Sequence, residues 1–131
     1  MATIPDDLLH LLTDPNYGAL ATVRPDGTPQ VEPMWFLYES KSHTIRFTHT
    51  IKRAKFRNLQ TNPGMALCIL DPEDPYRFLE VRGRLVEAIP DPEGSFYPVL
   101  GERYGNPDTP VPPDKADRVI LVMSIDHVVQ K

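Results

Sequence analysis

The stretch IRFTHTIKRAKFRNLQTNPGMALCI, residues 45–69, contains three consecutive elements that indicate the fold. Apolar and polar side chains alternate over residues 44–50, a pattern typical of a β-strand with one buried face. Over residues 52–59 the apolar positions follow a helical spacing instead, and Asn-Pro-Gly ends this short helix. The apolar run over residues 64–70 predicts a buried strand. The stretch therefore predicts a strand, a short helix and a strand in close succession.

A basic cluster lies at the start of the predicted helix. The chain has a formal net charge of −4, yet four of its 14 basic residues fall within a short run: Lys52, Arg53, Lys55 and Arg57. A strand that ends in threonine hydroxyls and enters a helix through basic residues is a candidate site for a phosphate or carboxylate, because the helix start offers free N–H groups. Arg53 and Lys55 can converge on one anion only if Arg53 lies at or before the first helical turn. The alternative is a solvated helix face without a ligand.

The rest of the sequence predicts short elements joined by tight turns, because most of its 15 prolines lie between apolar runs. Pro33 lies within a predicted strand and implies an edge or a bulge there, and Gly83 indicates a bend or bulge in another. Such a pattern favours a mostly β fold, a small barrel of about six antiparallel strands with two or three short helices. Residues 1–131 are expected to form this single domain. The further predicted elements are a helix over 5–13, strands over 17–23, 31–40, 78–89 and 119–129, a loop over 71–75, and a helix within 93–104 that Pro98 confines.

Composition excludes several other classes of protein. No apolar run approaches the roughly 18 residues of a membrane-spanning helix, and the first residues lack the basic region of a secretory signal, which predicts a cytoplasmic location. The negative net charge argues against a nucleic-acid partner. Cys68 is the single cysteine and is interpreted as a small core residue, so no disulfide is expected. The four histidines lack the spacing of metal ligands, and neither a metal site nor a catalytic residue is predicted.

Four segments, in order, resemble one known superfamily. They are GALATVRPDGTPQVEPMWF, IRFTHTIKRAKFRNLQTNPGMALCI, DPYRFLEVRGRLVE and SIDHVV, and they span nearly the whole chain. The sequence resembles the pyridoxamine 5′-phosphate oxidase-like split β-barrel superfamily, and within it the F420-dependent reductase branch of flavin/deazaflavin oxidoreductase B type. The resemblance implies an FMN-binding split barrel fold. It also implies a homodimer with the cofactor groove between the subunits, and a small-molecule substrate.

The resemblance implies an oxidoreductase in which reduced coenzyme F420 gives a hydride to a small conjugated acceptor. Arg53 and Lys55 would bind the cofactor phosphate, residues 48–50 would line the phosphate and ring edge, and Tyr76 would reach across from the partner subunit. Residues 33–35 would lie beside the tricyclic ring. The full set implied for cofactor binding is Gln30, Pro33, Met34, Trp35, Thr48, His49, Thr50, Lys52, Arg53, Lys55, Arg57, Asn58 and Tyr76.

Several alternatives remain open at this point. An FMN-dependent oxidoreductase would use the same fold and phosphate site, although the charge of the basic cluster suits the anionic tail of F420 better. A non-catalytic protein that binds F420 or FMN is a second alternative, and a barrel with an unused basic patch is a third. Trp35 could belong to the core or to a dimer interface, and His49 could be a surface residue at a strand end.

Overall fold

The computed structural model describes residues 2–130 and the side chains of residues 2–129. Its elements are short and mostly β, as the sequence predicts. In chain order they are α1 (Leu9–Thr13), β1 (Gly18–Val23), β2 (Pro29–Met34), β3 (Leu37–Glu39), β4 (Thr44–Thr50), α2 (Ala54–Thr61), β5 (Gly64–Asp71), β6 (Asp74–Pro90), α3 (Phe96–Arg103), a 3₁₀ helix (Lys115–Asp117), β7 (Arg118–Ser124) and β8 (His127–Gln130). None of the helices within the described range is long and apolar enough to cross a membrane.

The strands form one antiparallel sheet in the order β2-β1-β5-β6-β7-β4-β3, and β8 also pairs with β6. The two strands at the ends of this order, β2 and β3, are separated in the chain only by Trp35 and Phe36. The sheet therefore curls back on itself, and a short piece of chain joins its ends in place of a hydrogen-bonded ladder. This arrangement is a split β-barrel, which confirms the predicted fold class. Pro33 lies on the edge strand β2, where a residue without an N–H is tolerated.

The core lies inside the barrel and is built from alternate residues of successive strands. Leu20 of β1, Phe47 of β4, Leu67 of β5 and Leu121 of β7 are each fully buried, and so is Phe36. Burial of each such side chain contributes about 1.5–3 kcal/mol. Phe36 fills the barrel from the junction between β2 and β3, so the core also fixes the chain at the split.

Two predicted strands are each divided in the structure, which raises the number of strands within residues 2–130 to eight. The strand predicted over 31–40 breaks at Trp35 and Phe36, because the chain leaves β1 there and crosses to pair with β4. The strand predicted over 119–129 breaks between β7 and β8. The sequence pattern missed both breaks because they follow from closing a barrel and not from local composition. The loop predicted over 71–75 is a short turn between β5 and β6.

Gly83 lies opposite the break between β7 and β8. A Cβ atom at Gly83 would come within 1.8 Å of the carbonyl oxygen of Ser124, so only glycine fits there. The ladder between β6 and β7 shifts register just beyond this point, between Leu85 and Glu87. The predicted bulge is therefore present at Val86, three residues after the glycine that indicated it.

Three local predictions need adjustment. Cys68 is half-buried on the strand face opposite the buried Leu67 and Ile69, so its interpretation as a core residue is wrong. Burial raises the pKa of its thiol, and the charge of Glu80 on β6 adds to the effect. The α1 helix is shorter than predicted. The helix predicted within 93–104 is α3, Phe96–Arg103. Pro98 falls in its first turn, where the missing N–H of proline costs little.

Candidate functional site

A cleft of about 340 Å³ lies at the split of the barrel. Its walls come from the edge strand β2, the end of β4, the start of α2, and two later segments, α3 and the start of β7. The residues that line it are Tyr17, Glu32, Pro33, Met34, Trp35, Thr48, His49, Arg53, Tyr97 and Arg118. Six of these ten, namely Pro33, Met34, Trp35, Thr48, His49 and Arg53, are among the residues proposed from the sequence.

One cation of the basic cluster, Arg53, lines the cleft from its position just before α2. Arg53 precedes the helix with an extended backbone, φ −97° and ψ 158°, and its N–H donates to the carbonyl of Thr50 at 3.3 Å. Arg53 therefore meets the geometric condition set by the sequence, since it lies before the first helical turn. Arg53 lines the cleft, and the free N–H groups at the start of α2 follow it directly in the chain.

The other two exposed cations of the cluster lie elsewhere. Lys52 Nζ is 3.7 Å from a carboxylate oxygen of Asp117. Arg57 donates from Nη1 to the carbonyl of Lys52 at 3.0 Å and lines a separate depression, which it shares with Gln30 and Asn58. The structure thus brings neither Lys52 nor Arg57 to the cleft wall, and their role in cofactor binding stays a prediction.

Lys55 is buried behind the cleft wall, in contact with Glu32. Its side chain is 1 % exposed, and Nζ lies 3.2 Å from Glu32 Oε2 and 3.7 Å from Met34 Sδ. Gln30 donates to the other oxygen of Glu32 at 2.7 Å, and the buried Asn58 donates to Gln30 Oε1 at 3.0 Å. The hydrogen bond and charge of Lys55 lower the pKa of Glu32. Glu32 is therefore a fixed, ionised carboxylate on the cleft wall.

Two polar atoms at the end of β4 are buried without a hydrogen-bond partner among the described residues: Thr48 Oγ1 and His49 Nε2. Both side chains also line the cleft. Burial lowers the pKa of His49 to about 4, and the nearby positive charges of Lys55 and Arg53 add to this effect. His49 is therefore neutral at pH 7. It is 4 % exposed, so its interpretation as a surface histidine is wrong.

Aromatic side chains form another part of the cleft wall. Trp35 stacks on Tyr104 with ring centroids 5.2 Å apart and an interplanar angle of 13°, and Tyr97 approaches Trp35 at 5.9 Å and 51°. Tyr17 contacts Tyr104 at 5.6 Å. Although alternation along one strand places Met34 and Trp35 on opposite faces, both line the cleft because β2 ends at Met34.

The aromatic part is held in place by α3. Arg103 donates hydrogen bonds to the carbonyls of Phe36, Leu12, Thr13 and Asp14 at 2.8–3.0 Å. The Tyr104 hydroxyl accepts from the N–H of Phe36 at 3.0 Å and donates to the carbonyl of Asn16 at 2.7 Å. These bonds fix the residue that follows Trp35 and so fix the indole against Tyr104.

Four lining residues were not proposed from the sequence: Tyr17, Glu32, Tyr97 and Arg118. Glu32 could have been found, because it alternates with Gln30 and Met34 along one strand face. Tyr97 and Arg118 could not, since they reach the cleft only through the docking of α3 and the pairing of β7 with β4. Tyr76 is 77 % exposed at the β5–β6 hairpin and does not line the cleft. Its proposed contact across a dimer stays a prediction.

The donors and walls of the cleft fit an anionic ligand with a planar ring. Arg53 and the helix start supply positive charge, and Thr48 and His49 supply buried polar atoms without a protein partner. Trp35 supplies an aromatic surface on which a ring can pack. A phosphate-bearing flavin or deazaflavin combines these properties, so the residues present fit such a cofactor.

Comparisons with known proteins agree with this assessment. The F420H(2)-dependent biliverdin reductase of Mycobacterium tuberculosis (strain CDC 1551 / Oshkosh) is 28 % identical over 130 residues, which cover 95 % of this chain and 86 % of that protein. A solved structure named F420 reductase is 51 % identical, with a TM-score of 0.91 and coverage of 96 % of this chain and 98 % of that one.

A more distant structure shares the fold alone. General Stress Protein 26 from Bacillus anthracis str. Sterne superposes with a TM-score of 0.69 at 19 % identity, over 95 % of this chain and 91 % of that chain. The family profile described as pyridoxamine 5′-phosphate oxidase matches residues 4–131. With the profile matched over nearly the whole sequence and the split barrel in place, the chain belongs to the pyridoxamine 5′-phosphate oxidase family.

Proposed function

We propose that the protein is an F420H2-dependent reductase that transfers a hydride from the deazaflavin to a small conjugated acceptor. The observation that carries the proposal is a cleft whose lining combines the cation Arg53, buried polar atoms without a protein partner, and aromatic side chains. This cleft occurs in a chain that is 51 % identical to a structure named F420 reductase. The name of the Mycobacterium tuberculosis relative, an F420H(2)-dependent biliverdin reductase, points to the same class of reaction.

Residues from several elements around the cleft would hold the cofactor. Arg53 and the N–H groups at the start of α2 are suited to its phosphate, because a guanidinium and a helix start both bind phosphate oxygens. Pro33, Met34 and Trp35 are suited to pack beside its ring, and Thr48 can donate its unused hydroxyl. When bound, reduced F420 supplies the hydride.

The chain's own contribution is to position reactants and exclude water. Trp35 and Tyr97 cover the aromatic part of the cleft, and buried neutral His49 offers a polar atom without adding charge. Ionised Glu32, paired with Lys55, is an acceptor at the wall. We assign no general acid to a side chain, so the proton that accompanies the hydride has no assigned source in the protein.

A binding titration tests the proposal. Purified protein is titrated with F420 and separately with FMN, in the wild type, in Arg53→Gln and in the control Arg84→Gln, whose arginine pairs with Asp126 on an exposed surface. We expect tight F420 binding that Arg53→Gln weakens about tenfold to hundredfold, the range for a lost charge-assisted hydrogen bond. Arg84→Gln should bind like the wild type.

The other outcomes point to the alternatives. Preference for FMN would retain the fold and replace the cofactor. Binding of F420 without oxidation of F420H2 by a panel of enones would indicate a cofactor-binding protein without turnover. Failure to bind either cofactor would contradict the proposal and leave the basic cluster as a solvated helix face.

We also propose that the protein is a homodimer with the cofactor groove between subunits, and that it is cytoplasmic. Large apolar side chains are exposed on the edge strand β2 and on the β5–β6 hairpin, including Val31 at 62 %, Leu70 at 55 % and Tyr76 at 77 %. A second copy would cover such surface. Light scattering at micromolar concentration should give a dimer mass, and a clean monomer would contradict the shared groove.

A further inference from the structure

Arg118 lines the cleft between Tyr97 and the end of β4, and one edge of its guanidinium makes no contact with Asp114. Its side chain is 9 % exposed. Nε donates to Asp114 Oδ1 at 3.0 Å, and Nη2 lies 3.4 Å from Oδ2. Nη1 makes neither contact. A guanidinium can bind carboxylates along two edges, so the Nη1–Nη2 edge remains available for a second carboxylate.

The position of Arg118 is fixed by its neighbours. Its backbone pairs with Thr50 of β4, and its carbonyl accepts from the N–H of Asp91 at 2.9 Å. Its guanidinium carbon lies 5.1 Å from the centre of the Tyr97 ring. Because these contacts hold the side chain before any ligand arrives, little conformational entropy is lost when the cleft is filled.

Two arginines and a single carboxylate are among the residues that line the cleft. Glu32 is the one carboxylate among the lining residues, and Lys55 is its counter-ion. Arg118 is balanced by Asp114, which does not line the cleft, so Arg53 and Arg118 are the two cations of the lining; Arg118 lies beside Tyr97, and its backbone pairs with Thr50 near the start of α2. A ring packed against Trp35 and Tyr97 would place a substituent within reach of Arg118.

From this geometry we propose that Arg118 is a carboxylate-binding residue for the acceptor, so that the enzyme prefers planar conjugated substrates that bear a carboxylate. The proposal rests on the proposed function, because it takes the α2 end of the cleft as the site of the cofactor phosphate. It names a substrate class that charge and shape define, and it assigns Arg118 to specificity and not to hydride transfer.

A matched pair of ligands tests the proposal. The first is the enone 4-(3-oxobut-1-enyl)benzoate and the second is its methyl ester, which has the same conjugated skeleton without the charge. Binding of each is measured by calorimetry in the wild type, Arg118→Gln, Arg118→Lys and the exposed control Arg84→Gln, with and without saturating oxidised F420. Melting curves confirm that each variant is folded.

We expect the wild type and Arg84→Gln to bind the carboxylate about tenfold to hundredfold more tightly than the ester. Arg118→Gln should lose this preference. Arg118→Lys should keep part of it, since lysine retains the charge but not the paired N–H donors of the guanidinium. If Arg118→Gln does not fold, Arg118→Lys decides: an undiminished preference for the carboxylate over the ester would contradict a role for the paired N–H donors of the guanidinium. F420 should leave the preference unchanged.

Three results would overturn the proposal: equal binding of acid and ester by the wild type, an unchanged preference in Arg118→Gln, or displacement of the benzoate by F420. The last would assign Arg118 to the cofactor site. Failure of the proposed function is seen separately, as absence of F420 binding, because the ligand pair is also measured without the cofactor.

Discussion

The imidazole of His49 is 4 % exposed and lies near the cations Lys55, Arg53 and Arg118. Burial and these charges both oppose its protonation, which is why its pKa falls to about 4. In the unfolded chain, the same imidazole takes up a proton near pH 6.5. Between these two pH values the unfolded state binds more protons than the folded state. His49 therefore favours unfolding as the pH falls through this range, and its effect is absent above it.

Replacing His49 should make stability less sensitive to acid. Wild type should lose on the order of 3 kcal/mol of unfolding free energy between pH 7 and pH 4 through this residue alone. In His49→Gln this contribution is absent, so the fall in unfolding free energy between pH 7 and pH 4 should be smaller than in the wild type by that amount. Urea unfolding at several pH values measures the difference. His127→Gln, at an exposed position, is the matched control. Parallel pH profiles for wild type and His49→Gln would contradict the argument.

The pair formed by Glu32 and Lys55 is asymmetric, because the ammonium is buried while the carboxylate is 46 % exposed. Glu32→Ala leaves the buried ammonium of Lys55 without its counter-ion and should destabilise the protein by about 3 kcal/mol or more. Lys55→Met removes that charge and should cost less. The double variant should recover most of the loss caused by Glu32→Ala, measured by thermal unfolding at pH 7. Equal costs for the two single variants would contradict the burial of the ammonium.

At the scale of elements, α3 connects the N-terminal helix to the split of the barrel. Arg103 binds the last carbonyls of α1 and the segment after it, together with the carbonyl of Phe36. The orphan carbonyls at a helix end are thus satisfied by a side chain from a distant element. Because Tyr104 follows directly and stacks on Trp35, the docking of α3 determines both the stability of α1 and the shape of the cleft.

The variant Arg103→Lys measures how much the docking of α3 contributes to the free energy of unfolding. Lysine keeps the charge but cannot reach several carbonyls at once, so we expect a loss of about 2–3 kcal/mol. Trp35 is the single tryptophan, and its fluorescence should shift as its stacking on Tyr104 loosens. Arg77→Lys is the control, since Arg77 makes one exposed hydrogen bond, to the carbonyl of Asp7. Unchanged melting and fluorescence would show that α3 docks without Arg103.

For the whole molecule, β6 is the strand that holds the barrel together. It pairs with β5 and β8 over its first part and with β7 over its second part. Gly83 lies where β6 changes partner, and the carbonyl of Ser124 occupies the space of a Cβ atom. A side chain here would push β6 and β7 apart at the place where the two halves of the sheet meet.

Gly83→Ala should therefore destabilise the fold strongly, by about 4 kcal/mol or more, because backbone must move to admit the methyl group. Gly64→Ala is the matched control, since a Cβ there meets only the side-chain oxygen of Asn62, at 3.1 Å. Thermal unfolding and yield of folded protein measure both. A Gly83→Ala variant as stable as Gly64→Ala would be incompatible with the close approach of Ser124.

Much of this architecture could be predicted from local patterns. The strands over 44–50 and 64–70 follow directly from alternation and apolar runs, and the position of Arg53 before α2 satisfies a condition stated from spacing. The ion pair of Lys55 with Glu32 could not be predicted, because it joins α2 to an edge strand. The contribution of Arg118 depends on strand pairing across the barrel, which local periodicity does not encode.

No ladder joins β2 to β3 in the described part of the chain, and the cleft opens at this junction. The barrel is stabilised by its paired strands, while four of the ten residues that line the cleft lie outside those strands: Tyr17, Trp35, Arg53 and Tyr97. Substitutions at these four positions leave the strand ladders intact, so they can change ligand preference without breaking the pairing that holds the barrel. A chain organised in this way separates foldability from selectivity, which makes it a suitable starting scaffold for directed evolution toward new substrates.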